Sequence, residues 1–358
     1  MITVVGAGPV GCFAAHLLAS KGEKVQLFEN HRSLGTPLQC TGLVTNSIKQ
    51  VLPLDEDLIL NDVSHARIFS PDKTCFDIDI NDFVLDRSRF DRRLADLAVA
   101  SGARLHLSHR FVSKSRTGIL LDNNGKPRTV STDLVVGSDG PLSKVAHVYQ
   151  LFGKRRFWTG MQASVKLKND NVIEFYPFLG TFAWVVPESR SIARIGVLSE
   201  NNPRPLFDKF ISERAPHCQV ISRQAGLVPR YNPAIKVQNQ ERTVFLVGDA
   251  AAQVKATSAG GLVSGLTAAS CLARSILGGK DYETLVRREL GSDLRLHLLA
   301  RKILDRFSLV DYNRLVYLCS QPRVRTVFSK IDRDHPIRLT AQLVLREPRL
   351  LCFLRCLL

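Results

Sequence analysis

Residues 2–5 (ITVV) form a β-branched run that predicts a buried strand, and from Gly11 to about Ser20 the apolar positions lengthen to helical spacing. A second apolar run, 24–28, predicts the next strand and ends in Glu29. After a loop rich in glycine and proline (31–44), a helix is expected to restart near Thr45. Residues 66–80 read as a hairpin turning at 70–73, and a helix follows to about Ala100 with Phe90, Leu94, Leu97 and Ala98 on one face. Residues 102–112 predict a further strand, and 118–121 with 128–136 a hairpin closed by Asn123-Asn124-Gly125.

From 160 to 230 the period shortens. Residues 161–167, 172–176, 182–186 and 191–198 are four strand candidates at even spacing, the pattern of an antiparallel sheet rather than βαβ units. A buried strand at 243–247 then returns the chain to its opening style, with a helix to about Leu277. Helices dominate afterwards: 282–308, 311–319 and 322–331. The expected class is α/β (α+β), a Rossmann-like domain carrying an inserted antiparallel-sheet domain and C-terminal helices. The boundaries this implies are 1–65, 84–158 and 240–280 for the nucleotide-binding domain, 66–83 and 159–239 for the substrate domain, and 281–358 for the helical region.

The charge changes this picture: 49 basic against 33 acidic residues give a net +16. Aromatic residues are not interleaved with the basic ones as in a nucleic-acid module, so an anionic membrane surface ranks above nucleic acid as partner. The tail 337–358 mixes leucines with Arg338, Arg346, Arg349 and Arg355, which suits either a core helix or a membrane face. No stretch of about 18 uncharged apolar residues predicts a transmembrane helix. The nucleotide motif starts at residue 2, so no signal peptide is expected, and the protein is expected to be cytoplasmic and peripheral at the membrane surface. The eight cysteines show no C-x-x-C pair, and no metal site is expected.

The chemistry-bearing stretch is Gly6-Ala7-Gly8-Pro9-Val10-Gly11 between a strand and a helix, with Glu29 closing the next strand. Gly6 permits a tight turn, Gly8 lets backbone approach a pyrophosphate, Gly11 lets helix pack on strand, and Glu29 suits a ribose. Asp249, after the returning strand, is placed for a hydroxyl of an extended cofactor, and Gly260-Gly261 at a helix start suits a ring edge or pyrophosphate. Arg87 fits a phosphate or ribityl group. Cys40 reads either as a small buried hydrophobe or as a group beside the cofactor. The aromatics around Phe182-Ala183-Trp184 read as sheet core or as an apolar pocket wall.

Taken in order, these pieces resemble the geranylgeranyl reductase family of FAD-dependent oxidoreductases, a branch of the fold of p-hydroxybenzoate hydroxylase, over nearly the whole chain. The resemblance rests on G-x-G-x-x-G with Glu29, and on the loop Pro37-Leu38-Gln39-Cys40-Thr41-Gly42. It also rests on D-R-x-x-F-D through Asp86, Arg87, Phe90 and Asp91, on the D-G motif at Asp139, on Gly248–Leu262, and on Phe182-x-Trp184-x-Val186-Pro187. Position 182 usually holds Tyr and 186 Phe in that family, and its archaeal loop often reads C-A-E-G where Thr41-Gly42 stand here.

The resemblance implies FAD contacts at Val10, Glu29, Cys40, Thr41, Gly42, Arg87, Val112 (adenine, through its backbone), Asp139, Asp249, Gly260, Gly261 and Leu262. It implies a prenyl channel lined by Tyr176, Phe182, Trp184 and Pro187. The implied activity is reduction of C=C bonds in polyprenyl chains of archaeal-type lipids, with NAD(P)H or ferredoxin as donor and Cys40 as a candidate proton donor. Two rivals are a flavin monooxygenase of an apolar substrate and a non-catalytic membrane-surface binder on an FAD fold.

Overall fold

The computed structural model describes residues 1–36, 40–331 and 333–357. The Pro37-Leu38-Gln39 part of the loop motif and Leu358 of the tail lie outside them. The chain divides into two units, the first made of Met1–Leu38, Arg87–Arg156 and Pro229–Arg295, the second of Gln39–Asp86, Phe157–Val228 and Leu296–Leu358.

The first unit is built on a five-stranded parallel sheet in the order Val244–Leu246, Leu134–Gly137, Ile2–Val5, Val25–Phe28, Arg104–His106. The central strand Ile2–Val5 is buried throughout, which is why it carries no polar side chain but Thr3. The helix Pro9–Ala19 packs on the helices Arg87–Ala100 and Leu262–Gly278. Ser108, at φ +60°, breaks the run expected at 102–112, so Arg104–His106 joins the parallel sheet while His109–Lys114 opens a separate three-stranded antiparallel sheet. Its hairpin turns at Asn124 and Gly125, both at positive φ, the turn whose twist matches the flanking strands.

The second unit holds an eight-stranded sheet in the order Val220–Pro229, Phe157–Lys166, Ile192–Ser199, Phe182–Ser189, Val172–Tyr176, Ile59–Phe69, Cys75–Leu85, Leu43–Thr45. The four strands expected in the middle of the chain are all present, and Val220–Pro229 adds one the pattern did not predict. The sheet is mixed rather than purely antiparallel, because Val172–Tyr176 runs parallel to Ile59–Phe69. One face is closed by the helix Arg204–Arg214, whose Phe207 and Phe210 pack on Ala163, Val165, Ala183, Val185, Ile195 and Val197. Burying each phenylalanine stabilises the unit by about 2–3 kcal/mol.

Three expectations are corrected. Residues 43–45 form a strand, not a helix start: Leu43, Val44 and Thr45 pair with Val84, Phe83 and Asp82, and a short helix follows only at Ile48–Val51. That pairing, with the Ile59–Phe69 ladder, draws 39–65 into the second unit rather than the nucleotide-binding one. The C-terminal helices are also not a separate region. Phe76 of the sheet packs with Val316, Cys319 and Val324, joining 296–358 to the second unit. Among the described residues, no helix is long and apolar enough to cross a membrane.

Candidate functional site

In the first unit the glycine loop is defined by where side chains cannot be. Gly6 sits at φ +100°, and a Cβ there would stand 2.4 Å from the Ser138 carbonyl oxygen. A Cβ on Gly11 would stand 2.0 Å from the Gly6 carbonyl oxygen and 2.4 Å from Ser138 Oγ. Ser138 itself donates through Oγ to the carbonyls of Val5 and Gly6, at 2.9 and 2.7 Å. Gly8 differs: apart from its own chain neighbours, no atom of the protein lies within 4 Å of a Cβ built on it. The helix from Pro9 has no side-chain cap and no acid in its first turn. Glycine at position 8 thus keeps space open above a helix N-terminus, the arrangement that receives a pyrophosphate.

Glu29 is buried and organises the same loop. Its Oε2 accepts from Ala7 N at 2.8 Å, and its Oε1 accepts from His31 N at 3.1 Å and lies 2.5 Å from His31 Nδ1. The expected ribose acceptor thus already holds the glycine loop and the following turn. Val10 projects between two glycines, its methyls 3.2 Å from a Cβ position on Gly248 and 2.6 Å from one on Gly265. Val112 is the extra residue of a bulge: Phe111 pairs with Leu121 and Ser113 with Leu120, leaving nothing opposite it. A bulge leaves the extra residue's backbone groups out of the ladder.

Arg87 begins the helix Arg87–Ala100 and donates to Asp91 through Nε at 3.1 Å and a terminal nitrogen at 3.2 Å. It also bears on Asp249. Burial pushes the Asp249 carboxyl up to about 6, with the Arg87 guanidinium opposing the shift. The turn Gly248–Ala251 holding Asp249 is pinned from several sides. Gln253 Oε1 accepts from Gly248 N at 2.8 Å, and Tyr282 OH donates to Leu246 O at 3.0 Å. Ser264 Oγ donates to Gln253 O at 2.6 Å. Arg155, whose pKa burial lowers to about 10, donates to Ala250 O at 2.7 Å. The sequence pattern missed Tyr282 and Arg155, which belong to no local motif, and did not single out Gln253 within the Gly248–Leu262 stretch.

The helix Leu262–Gly278 starts at Gly261 without a side-chain cap, and Asp249 Oδ1 lies 3.0 Å from a Cβ position on Gly261. Gly260, Gly261 and Leu262 therefore present an open N-terminus beside a carboxylate that accepts no hydrogen bond among the described residues. Asp139 is placed differently from expectation. Its carboxylate accepts from Ser143 Oγ at 2.6 Å and Val145 N at 3.0 Å, so it serves the start of the helix Lys144–Val148.

In the second unit, register decides which aromatics meet. Trp184 pairs with Phe175 on one side and Gly196 on the other, and Gly196 pairs with Gln162. A Cβ on Gly196 would stand 2.2 Å from the indole, so glycine is what lets the ring lie across that strand. Phe182, two positions away, shares this face, its ring 5.6 Å from Trp184 and 5.2 Å from Phe175. Tyr176 and Pro187, expected beside them, fall on the opposite face because strand side chains alternate. Tyr176 pairs with Ala183 and packs on Phe210 at 5.0 Å, and Pro187 pairs with Ala193. Phe175 is the residue the pattern should have nominated.

Cys40-Thr41-Gly42 lies against the Trp184 face of the sheet. Gln162 Nε2 donates to Cys40 O at 3.0 Å and to Gln224 Oε1 at 2.6 Å. Arg194, buried, donates to Thr41 O at 2.7 Å and to Glu188 Oε2 at 2.8 Å. Gly42, at φ +73°, approaches Leu85 O so closely that a Cβ would stand 2.5 Å from it. Cys40 Sγ accepts from Gly42 N at 3.3 Å. Two buried polar atoms on this face, Trp184 Nε1 and Gln162 Oε1, have no hydrogen-bond partner among the described residues. A buried donor and a buried acceptor without partners suit one water or hydroxyl.

The first unit thus carries a strand–glycine loop–helix on a parallel sheet, and the second is built on a large mixed sheet. Residues 4–41 match the family model described as an NAD(P)-binding Rossmann-like domain. The chain is similar to digeranylgeranylglycerophospholipid reductase 1 of Methanococcoides burtonii, 28% identical across 87% of this chain and 84% of the relative. It is likewise 28% identical to digeranylgeranylglycerophospholipid reductase of Methanothrix thermoacetophila, across 99% of this chain and 98% of that one. Among solved structures, a geranylgeranyl bacteriochlorophyll reductase-like protein from Thermoplasma acidophilum superposes with a TM-score of 0.84 at 21% identity, covering 100% of this chain and 98% of that one. A flavin-dependent brominase superposes with a TM-score of 0.74 at 16% identity, over 99% and 98% of the two chains. The resemblance seen in the motifs is thus borne out across the chain.

Proposed function

We propose that the protein is an FAD-dependent reductase that saturates C=C bonds in the geranylgeranyl chains of archaeal-type membrane lipids. The observation that carries this reading is the similarity, over nearly the full length, to reductases named for that substrate. The likeness to the brominase is one of fold alone.

The first unit's residues fit an adenine dinucleotide extended to a flavin. Gly8 and the uncapped Pro9–Ala19 helix would receive the pyrophosphate, the Val112 bulge the adenine, and Asp249 with Arg87 the ribityl hydroxyls and phosphate. Gly260, Gly261 and Leu262 would offer backbone N–H groups to the electron-rich edge of the ring. When bound and reduced, the flavin supplies a hydride for one alkene carbon.

An isolated alkene has no carbonyl to polarise, so the protein contributes alignment, an apolar wall and a placed proton. Phe175, Phe182 and Trp184 supply the wall. The proton for the second carbon comes from Cys40 Sγ, whose backbone Gln162 holds, or from a water at Trp184 Nε1 and Gln162 Oε1. Electrons arrive from NAD(P)H or ferredoxin, and the protein works at the cytoplasmic membrane surface. The deciding experiment mixes the flavin-loaded, reduced enzyme anaerobically with a panel of prenylated lipids, followed by mass spectrometry. Mass gains in pairs of hydrogens are expected; unaltered lipid beside a reducible, flavin-loaded enzyme overturns the reading.

A further inference from the structure

We propose that the outer face of the C-terminal helices, at Leu309–Cys319, Pro336–Arg346 and Pro348–Leu357, is the surface by which the protein docks on an anionic lipid membrane. This deepens the lipid-reductase reading, yet membrane binding is measured without turnover, so either can fail alone.

The inner sides of these helices are committed to the second unit. Val316, Cys319 and Val324 pack with Phe76, Leu343 and Leu350 join that cluster, and the Phe353 ring lies 4.8 Å from Phe307. The 348–357 segment packs on both the 336–346 and the 309–319 helices, so the three are neighbours. Their outer sides should then be polar, and they are not. Leu309 and Val310 are 62% and 73% exposed. Ile337, Ala341 and Leu345 recur at four-residue spacing along one helix face, Leu345 at 71% exposure. Leu351 and Leu354 stand three apart, which stacks them in a 3-10 helix. Of the fifteen large hydrophobic residues exposed among the described residues, seven lie between 309 and 354, so this is a concentration rather than the usual scatter.

The charge around this apolar face selects the occupant. Residues 309–357 carry nine Lys or Arg against four Asp or Glu. Two of those acids face guanidinium groups within the unit: Asp311 is bonded by Arg355, and Glu347 by Arg323 at 2.8 Å and Arg349 at 2.7 Å. Arg338 and Arg346 stand exposed beside Ile337 and Leu345. A second copy of so basic a face would be repelled by the first, whereas anionic headgroups match it, with leucines entering the acyl boundary and arginine stems reaching back to phosphates.

The test is flotation of the full-length, flavin-loaded protein with vesicles of equal parts phosphatidylcholine and phosphatidylglycerol. Wild type is expected to float, and less so as salt rises. The triple change Leu345→Ser, Leu351→Ser and Leu354→Ser is expected to weaken binding about tenfold or more, with unchanged melting and flavin content. Arg338→Gln with Arg346→Gln is expected to weaken binding and flatten its salt dependence, and it decides the matter if the leucine variant melts early. Ile221→Ser, exposed on the strand Val220–Pro229 rather than on these helices, is expected to bind as wild type. Wild type that does not float overturns the proposal, as does retained binding in a folded leucine variant or an equal loss in Ile221→Ser. A surface whose variants change only the oligomeric state also overturns it.

Discussion

The glycine loop of the first unit, the proposed dinucleotide cradle, is made of backbone and of side chains left out, whereas the aromatic face of the second is made of side chains held in register. Gly6, Gly8 and Gly11 act by where a Cβ would collide or intrude, and they stand within six residues of one another. Trp184, Phe175, Gln162 and Gly196 come from four strands and meet only because the ladders align. A cradle of the first kind tolerates almost no change at its glycines and is indifferent to distant sequence. A face of the second kind tolerates single substitutions but depends on buried clamps such as Gln162–Gln224 and Arg194–Glu188.

The largest effect is expected at Gly11. Gly11→Ala drives a methyl into the Gly6 carbonyl and should cost about 3 kcal/mol or more, with flavin content near zero, read by melting and by absorbance. Gly8→Ala is its control: with nothing nearby, stability should stay within about 0.5 kcal/mol while flavin affinity falls. Equal destabilisation by both would show that Gly8 is structural.

Arg194→Met removes the buried partner of Glu188 and the donor to Thr41 O, and should cost about 3 kcal/mol. Alkene reduction should fall beyond what lost stability explains, because the Cys40 loop loses a clamp. Unchanged turnover in a folded variant would detach that loop from the chemistry.

Asp249 gives a pH signature in the flavin-free protein. Well below pH 4 its carboxyl is neutral in folded and unfolded chains alike. Between about 4 and 6 the unfolded chain ionises while the folded one holds its proton, so stability falls as pH rises. Above about 6 the whole cost remains. Asp249→Asn should flatten that slope and raise stability at neutral pH by on the order of 2 kcal/mol, with allowance for partial solvation, while weakening flavin binding. A melting-temperature profile that matches wild type from pH 4 to 7 would contradict the assignment.

The smallest effect separates the two faces of the second unit's sheet. Tyr176→Phe removes the 2.7 Å hydrogen bond to Glu174 and should cost about 1 kcal/mol, with KM for a prenyl substrate unchanged. Trp184→Ala should raise that KM about tenfold while leaving flavin content intact. The reverse pattern would place the substrate against the helix-covered face.

Both the strands of the nucleotide unit and the four middle strands were legible because periodicity is a local property. The C-terminal helices were legible as helices but not as part of the second unit, since Phe76 lies more than two hundred residues before Val316 and Val324. Leu43–Thr45 was misread because its strand character comes from pairing with Val84 and Asp82, forty residues on.

Within the site the same division holds. By itself the sequence determined the glycine loop, Glu29, Asp249 and the open start at Gly261, because strand–turn–helix geometry is dictated by neighbours a few residues apart. Only the tertiary structure decided that Glu29 is already bonded to Ala7 and His31, and that Asp139 serves a helix start. It also decided that Tyr176 and Pro187 face away from Trp184 while Phe175 joins it. A side chain's face depends on the register of its strand, and register is set by partners far along the chain.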